Sequence, residues 1–408
     1  MSSPPFPPPG AEVAGPISHE HRTILAGAQG AEGVRHLALD PGPAVRDLVA
    51  GLVPGWDGGA LPLLRTKYKP SRKLTATYVL PGDPERHVAV IWTNDDVQAF
   101  ASPVDPLLPH AAALHDPAHL AGLVGPVDRV ETLRYRPGQR HVLRVTGDRG
   151  TSYVKVDKHD SGARSVPLAE TLGPRVADRV PGAFLAEPIG WAAGDRAGLW
   201  RGAPGTSLRD LLEDPAVAAP LLRLVGTAVR VLHDTPVEDL PVDGRVRGVD
   251  AEVRSTTSAA EHVVALLPDA GADARAIVAD ATARLDHLPA EPATVGHGDL
   301  KVDNVLAHEG SVRLLDLDRC GPADPALDLA KLTADLHWWS AEADALVAAF
   351  REGYGPSDPL RWERAAAFTP LLHLKLTARR CAVHDPAWES DVRARLRAAA
   401  PVPAGGAR

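Results

Sequence analysis

The sequence contains only two cysteines in 408 residues, Cys320 and Cys381. Two thiols so far apart in sequence exclude a disulfide framework and fit a reducing compartment. No long basic run occurs, and the formal net charge is −8. Nucleic acid is therefore not expected as a partner, because neutralising a phosphate backbone takes clustered Lys and Arg. No uninterrupted stretch of about 18 apolar residues is present. The most apolar helical run, Pro215 to Leu232, is broken by Arg223 and Arg230, so no membrane partner is expected. The opening Met-Ser-Ser-Pro-Pro-Phe-Pro-Pro-Pro-Gly has neither the basic start nor the apolar core of a signal peptide. These absences give the expectation of a cytoplasmic chain whose residues 1–20 form a disordered, Pro-rich tail.

What is present is ordinary for a globular protein: 44% hydrophobic and 24% charged residues. The length suffices for two or three units with substantial cores. Residues 21–123 mix short helical patterns with two strand-like runs, Lys73–Leu80 and His87–Trp92, around a turn at Pro81–Pro84. Residues 124–203 repeat that grammar, with Val142–Thr146 and Tyr153–Asp157 flanking Gly147–Gly150. Lys67-Tyr68-Lys69-Pro70 precedes the first hairpin and Arg134-Tyr135-Arg136-Pro137 the second. The two blocks read either as an internal duplication or as the chance likeness of two hairpins. If duplicated, the first copy carries Val90 where the second carries Lys155, and would serve as a cap. From 204 to 402 the periodicity is helical: Ser207–Glu213, Val217–His233, two helices within 250–288, and more up to about Ala400. A short strand-rich island, Thr294–Asp318, interrupts them. The fold class expected is α+β, with two lobes and a cleft between them.

The island carries the chemistry. It reads Val295-Gly296-His297-Gly298-Asp299-Leu300-Lys301-Val302-Asp303-Asn304, which contains H-x-D-L-x-x-x-N, the spacing of a kinase catalytic loop, with Gly298 where protein kinases place Arg. Phosphoryl transfer needs a carboxylate to accept the attacking hydroxyl's proton. It also needs an amide oxygen to reach a metal on the phosphates. A hairpin around Glu309-Gly310 then delivers Asp316, where a second metal-binding carboxylate belongs. Base, amide, hairpin and carboxylate in register form a multi-part signal.

These residues resemble the aminoglycoside phosphotransferase and choline-kinase-like superfamily. Gly321-Pro322-Ala323-Asp324-Pro325-Ala326-Leu327-Asp328-Leu329-Ala330 is similar to its G-D-P-x-x-D-L-A. Leu232-His233-Asp234-Thr235-Pro236 is similar to its L-H-x-x-P, and Pro204-Gly205-Thr206-Ser207-Leu208 to its P-G-x-x-L. The resemblance spans about 124–385 and implies a bilobal, protein-kinase-like fold. An N-terminal cap is more like maltokinase-like and glucosamine-kinase-like relatives. Carried over, Asp299 is the catalytic base, Asn304 and Asp316 hold Mg²⁺, Lys301 steadies the γ-phosphate, and Asp328 caps the loop. Asp318 has three readings: metal, substrate, or a solvated strand end.

A kinase of this type also needs a strand lysine on the α/β-phosphates, paired with a helix glutamate. Of only eight lysines, Lys155 sits between Val154 and Val156 in a strand pattern, and Glu170 is the only acidic residue between Asp160 and Asp178. Lys155 and Glu170 are therefore the expected pair. No G-x-G-x-x-G precedes Lys155 and no P-loop occurs, so phosphate cover falls to the turn Pro137-Gly138-Gln139, and ATP is expected with GTP open. Trp338 and Trp339 follow the Asp328 helix, where a sugar ring could stack or the core could take them. His110, His115 and His119 lie near one helix face, and His19-Glu20-His21 is a second histidine cluster; both read as surface groups rather than metal sites. The function expected is an ATP- and Mg²⁺-dependent phosphotransferase acting on a hydroxyl of a sugar, amino sugar or related metabolite. Antibiotic inactivation and a pseudokinase binding module are the alternatives.

Overall fold

The described residues are 30–399, except 71, 81, 82, 95, 357 and 358, in a computed structural model. The expected tail, His19-Glu20-His21 and residues 81 and 82 of the Pro81–Pro84 turn lie outside them. Two short helices, α1 (Gly30–Leu39) and α2 (Pro43–Leu52), lead into an antiparallel sheet of β1 (Leu63–Lys69), β2 (Lys73–Leu80), β3 (Asp83–Thr93) and β4 (Val97–Ala101), in that order. One face of β2 and β3 is apolar at every second position, which is the signature of a half-buried strand. It carries Leu74, Ala76, Tyr78, Val88, Val90 and Trp92, all buried.

After α3 (Pro117–Val124), a second antiparallel unit begins with β5 (Arg129–Arg136), β6 (Arg140–Gly147) and β7 (Gly150–Asp157). Helix α4 (Gly162–Arg179) follows, then β8 (Ala183–Leu185), β9 (Pro188–Ala192) and β10 (Ala197–Arg201). The second sheet is ordered β5-β6-β7-β10-β9. The remainder is helical around the island: β11 (Thr206–Ser207), α5 (Pro215–His233), α6 (Val249–Leu266), α7 (Gly271–His287), β12 (Thr294–Gly296), β13 (Val305–His308), β14 (Ser311–Leu314), β15 (Gly321–Ala323), α8 (Ala326–Trp339), α9 (Ala343–Tyr354), α10 (Pro359–Arg380) and α11 (Trp388–Ala399). The helix expected at Ser207–Glu213 is only a short 3₁₀ turn, Leu208–Leu211, cut off by the Asp214–Pro215 start of α5. Helix α5 is long and apolar enough to cross a membrane. Here Leu222, Val225, Val229 and Leu232 bury it in the core of the helical lobe.

The two sheets share more than strand order. Lys69 pairs with Lys73 across the first hairpin, as Arg136 pairs with Arg140 across the second. Lys155 stands opposite Val142, however, and the matching residue of β2, Thr75, stands opposite Ile91. Ile91 rather than Val90 therefore holds the lysine's ladder position. The slip arises at an irregularity in β2–β3, where Val79 pairs with His87 but Leu80 with Asp83. One residue of slip exchanges the faces. Val90 enters the large core, while Ile91 packs with Ala89, Phe100 and Tyr135 of β5.

The first sheet packs mainly against the helical lobe. Its apolar face forms one core with Val263 of α6, Ile277 of α7, Leu374 of α10 and Leu396 of α11. It reaches the second sheet through Tyr135 and through Asp105. The buried Asp105 carboxylate accepts from Tyr135 Oη at 3.1 Å and from the Gly138 amide at 2.7 Å. The N-terminal unit thus touches both flanks of the cleft.

Candidate active site

The island folds as its local chemistry dictates. Glu309 and Gly310 both adopt positive φ (47° and 76°), as a two-residue hairpin turn of the primed type requires. The Leu315 amide donates to the Asn304 carbonyl at 2.8 Å, one step beyond the Val305–Leu314 pair. Closing this hairpin brings Asn304 and Asp316 together. Asp316 itself sits at φ 63°, a left-handed conformation that Asp tolerates better than most side chains.

Asp299 lies between two ammonium groups. Lys331 Nζ on α8 is 2.9 Å from Oδ1, and Lys301 Nζ is 3.2 Å from Oδ2. Burial would raise this carboxyl, but Lys331 and Lys301 outweigh it and hold Asp299 well below the ordinary carboxylate range. The Asn304 side-chain amide donates to the Asp299 carbonyl at 2.9 Å, which leaves its Oδ1 as an acceptor. Asp328 fixes the loop from beneath. Its oxygens accept from the His297 and Gly298 amides at 2.5 and 2.8 Å, and His233 Nε2 lies 3.3 Å away. Asp335, two turns further along α8, accepts from the Val302 amide at 2.8 Å and from Arg380 at 2.6 Å.

Gly298 explains itself sterically. Its φ is 81°, and an added Cβ would lie 2.2 Å from the Arg247 guanidinium and 2.2 Å from the Arg319 carbonyl. A side chain at this position has no room, so the loop differs here from protein kinases for a reason visible in the packing.

Lys155 does not pair with Glu170. Its Nζ donates to Asp316 Oδ1 at 2.7 Å and to Asp318 Oδ2 at 2.5 Å. Arg140 of β6 joins them, 2.5 Å from Asp318 and 3.6 Å from Asp316. Glu170 is exposed. The buried stripe of α4 runs through Ser165, Leu168, Ala169, Leu172 and Val176, and position 170 falls outside it. Asp318 reaches Lys155 from a 3₁₀ turn, Leu317–Arg319, rather than by strand alternation. Burial opposes ionisation of Asp316, yet Lys155 and Arg140 keep it below its usual range. Burial, reinforced by the Asp316 charge, pushes Asp318 upward. Asp318 Oδ1 is buried with no hydrogen-bond partner.

Phosphate cover by the Pro137–Gln139 turn is restricted. The Gly138 amide is taken by Asp105, and an added Cβ there would meet Leu107 at 2.6 Å. Cations rather than loop amides face the cleft. The tryptophans are also placed differently from an acceptor wall. Trp338 packs on the helical core with Arg380 and Arg395 over its ring at 5.1 and 4.2 Å. Trp339 carries Arg209 and Arg380 at 5.3 and 4.8 Å. Neither lines the two cavities beside the catalytic loop. The three histidines are not on one helix: His110 and His115 sit in separate 3₁₀ turns and His119 in α3. His119 pairs with Asp195, His115 packs on His141, and no group of three metal-binding His, Cys, Asp or Glu side chains occurs among the described residues.

Sequence reasoning missed Arg140, Lys331, Asp335 and Arg247. Lys331 carried one signal: it is a scarce lysine inside the apolar run Ala-Leu-Asp-Leu-Ala-Lys-Leu, three residues after Asp328 and so on the same helix face.

Residues 134–368 match the phosphotransferase enzyme family, APH. The chain belongs to that family. It is 36% identical over 137 residues to an aminoglycoside 3'-phosphotransferase of Streptomyces fradiae, a match covering 31% of this chain. The chain spans about half (49%) the length of that relative. The fold is similar to a choline/ethanolamine kinase family protein from Mesorhizobium loti (TM-score 0.51, 19% identity, 70% of this chain and 94% of that one). It is also similar to the amicoumacin kinase hAmiN, solved with AMP-PNP, Ca²⁺ and Ami (TM-score 0.50, 15% identity, 70% and 94%). The protein-kinase-like bilobal fold is common to these structures.

Proposed function

We propose that the chain transfers a phosphoryl group from a nucleoside triphosphate to a hydroxyl of a small molecule. One observation carries this reading. The Asp299 carboxylate, ionised by two lysines, lies on the same loop as Asn304 and beside the Asp316–Lys155 pair that joins the two lobes. Asp299 accepts the acceptor's hydroxyl proton as the new O–P bond forms and the bond to the departing nucleoside diphosphate breaks. Lys155 and Arg140 stand where they offset phosphate charge from the β-sheet side, and Lys301 does so from the loop.

The donor set suits a hard divalent cation. Asn304 Oδ1, Asp316 and the unpartnered Asp318 Oδ1 are all oxygens, which are the ligands Mg²⁺ prefers. When bound, held by these side chains, Mg²⁺ would offset the charge on the transferred group. ATP is the donor in this reading and GTP the competing one.

For the acceptor, the relatives' names favour antibiotics at least as well as a sugar, and no observation above favours a sugar ring. The test is nucleotide consumption with ATP and with GTP, with and without Mg²⁺, across hydroxylated metabolites and antibiotics. Divalent-ion-dependent binding of nucleotide followed by transfer to one acceptor supports the reading. Absence of nucleotide binding under every condition contradicts it.

A further inference from the structure

We infer that the acceptor carries an oxyanion, a carboxylate or phosphate ester, held beside the Asp299 base by a cluster of basic side chains. The inference rests on the phosphotransferase reading and names the substrate class of that same site. Two adjoining cavities open next to the catalytic loop. The first lies between α6, α8 and α10 and contains the cations Arg247, Arg319, Lys331 and Lys375 with the carboxylates Glu252 and Asp328; the second contains Arg164, Arg245, Arg247, Arg319 and Asp318. Lys331 touches Asp299 directly, so the first cavity begins at the base itself.

Most of this positive charge is not neutralised by carboxylates. Lys375 pairs with Glu252 at 2.5 Å. Lys331 is committed to Asp299. Arg164 donates to the backbone carbonyls of Asp243 and Cys320. Among the described residues no carboxylate lies within ion-pair distance of Arg245, Arg247 or Arg319. The acidic groups nearby have other contacts: one oxygen of Asp318 holds Lys155 and Arg140, and Asp328 accepts from loop amides and lies beside His233.

Arg247 is the sharpest element. Its backbone is fixed to the β15 edge, with its amide donating to the Pro322 carbonyl at 3.0 Å and its carbonyl accepting from Asp324 at 2.9 Å. One terminal nitrogen donates to the Gly298 carbonyl at 3.1 Å. The other is buried without any partner. A buried guanidinium nitrogen left unmatched costs stability unless a ligand completes it. The unmatched nitrogen can donate a charge-assisted bond to a carboxylate or phosphate oxygen. The same wall repels a polycation, and acidic side chains of α8 and α9 contact other groups. Asp335 holds Val302 and Arg380, Asp344 pairs with His337, and Glu352 pairs with Arg223. A chain of net charge −8 thus concentrates cations at the one place where the hydroxyl must bind.

The experiment compares matched acceptors with the triphosphate site saturated by non-hydrolysable nucleotide and Mg²⁺, so that no probe can bind as a phosphate mimic there. Glucose, glucosamine, glucuronate, glucose 6-phosphate and kanamycin are titrated by calorimetry, and the same set is assayed for transfer with ATP. The acidic probes are expected to bind at least tenfold more tightly than glucose, with glucosamine and kanamycin weakest. The carboxylate and phosphate arms tell which oxyanion is preferred. Arg319→Glu and Arg245→Glu change exposed residues and are expected to keep the fold, which an unchanged thermal midpoint checks. Each should cut acid binding by about tenfold or more, the scale of a charge-assisted contact, and raise KM for an acidic acceptor more than it lowers kcat. Equal affinity across the set, or tighter binding of kanamycin, overturns the inference. An absence of nucleotide binding would instead strike the phosphotransferase reading, with the charge preference still measurable by calorimetry.

Discussion

Replacing Lys331 by Met removes the nearer of the two ammonium groups on Asp299 while keeping the length and apolar stem of the side chain. The contact is 2.9 Å and only 9% of the Lys331 side chain is exposed, so solvent screens little of it. Two unit charges about 4 Å apart interact by roughly 4 kcal/mol at an effective dielectric of about 20. An Asp beside one cation is typically displaced by about one to three pH units. Asp299 is held low by two cations, burial opposing them. Losing one should move its titration toward neutral by about one pH unit or more. The sign follows from the direction of the shift. A depressed carboxyl adds stability above its unfolded value, and that stability is lost as pH falls through the folded value. The variant should therefore lose stability and activity at a higher pH than the parent. A ¹³C titration of the Asp299 carboxyl between about pH 3 and 7, with pH profiles of kcat/KM, reads this directly. An unchanged titration in a folded variant would refute the claim that Lys331 keeps the base ionised.

Three further outcomes follow from the same geometry. Asn304→Ala and Asp316→Ala should each weaken the dependence of turnover and nucleotide binding on Mg²⁺; an unaltered Mg²⁺ titration in either would remove that residue as a ligand. Lys155→Met should impair nucleotide binding, whereas Glu170→Gln, at an exposed position off the α4 stripe, should match the parent within error. A large defect in Glu170→Gln would show that the helix turns inward during the reaction. Asp105→Ala strands the buried Tyr135 hydroxyl and Gly138 amide and should cost about 1–3 kcal/mol per unsatisfied group. It should also free the Pro137–Gln139 turn, seen as faster amide exchange at Gly138; unchanged denaturant midpoints would contradict it.

The geometry of the candidate catalytic loop was legible in the sequence because its determinants are local. His297, Asp299, Asn304 and Asp316 lie within twenty residues, and the hairpin that aligns them is specified by Glu309-Gly310. Lys155 was legible as a strand lysine, but its partner was not. Choosing Glu170 used only the acidic residues nearby in sequence, whereas the real partners are more than 150 residues away. Lys331, Arg140 and Arg247 escaped for the same reason: each acts across lobes or elements through contacts that periodicity does not encode. The strands of the first sheet were readable from alternation, yet the β2–β3 irregularity shifts the pairing by three residues and leaves Ile91, not Val90, at the ladder position that matches Lys155. Its docking on α6, α7, α10 and α11 is a property of matched apolar faces, visible only once the helices are placed.

The central claim is that Asp299 takes the proton from the attacking hydroxyl. Asp299→Asn preserves the side chain's size and keeps one oxygen to accept from Lys331 or from Lys301, so its fold and its affinity for Mg²⁺ and nucleotide should persist. Measured by single-turnover transfer from ATP to a verified acceptor, it should lose about 10²–10⁴ in rate, the range of a general base. Transfer at near the parent rate, with nucleotide binding intact, would contradict the account.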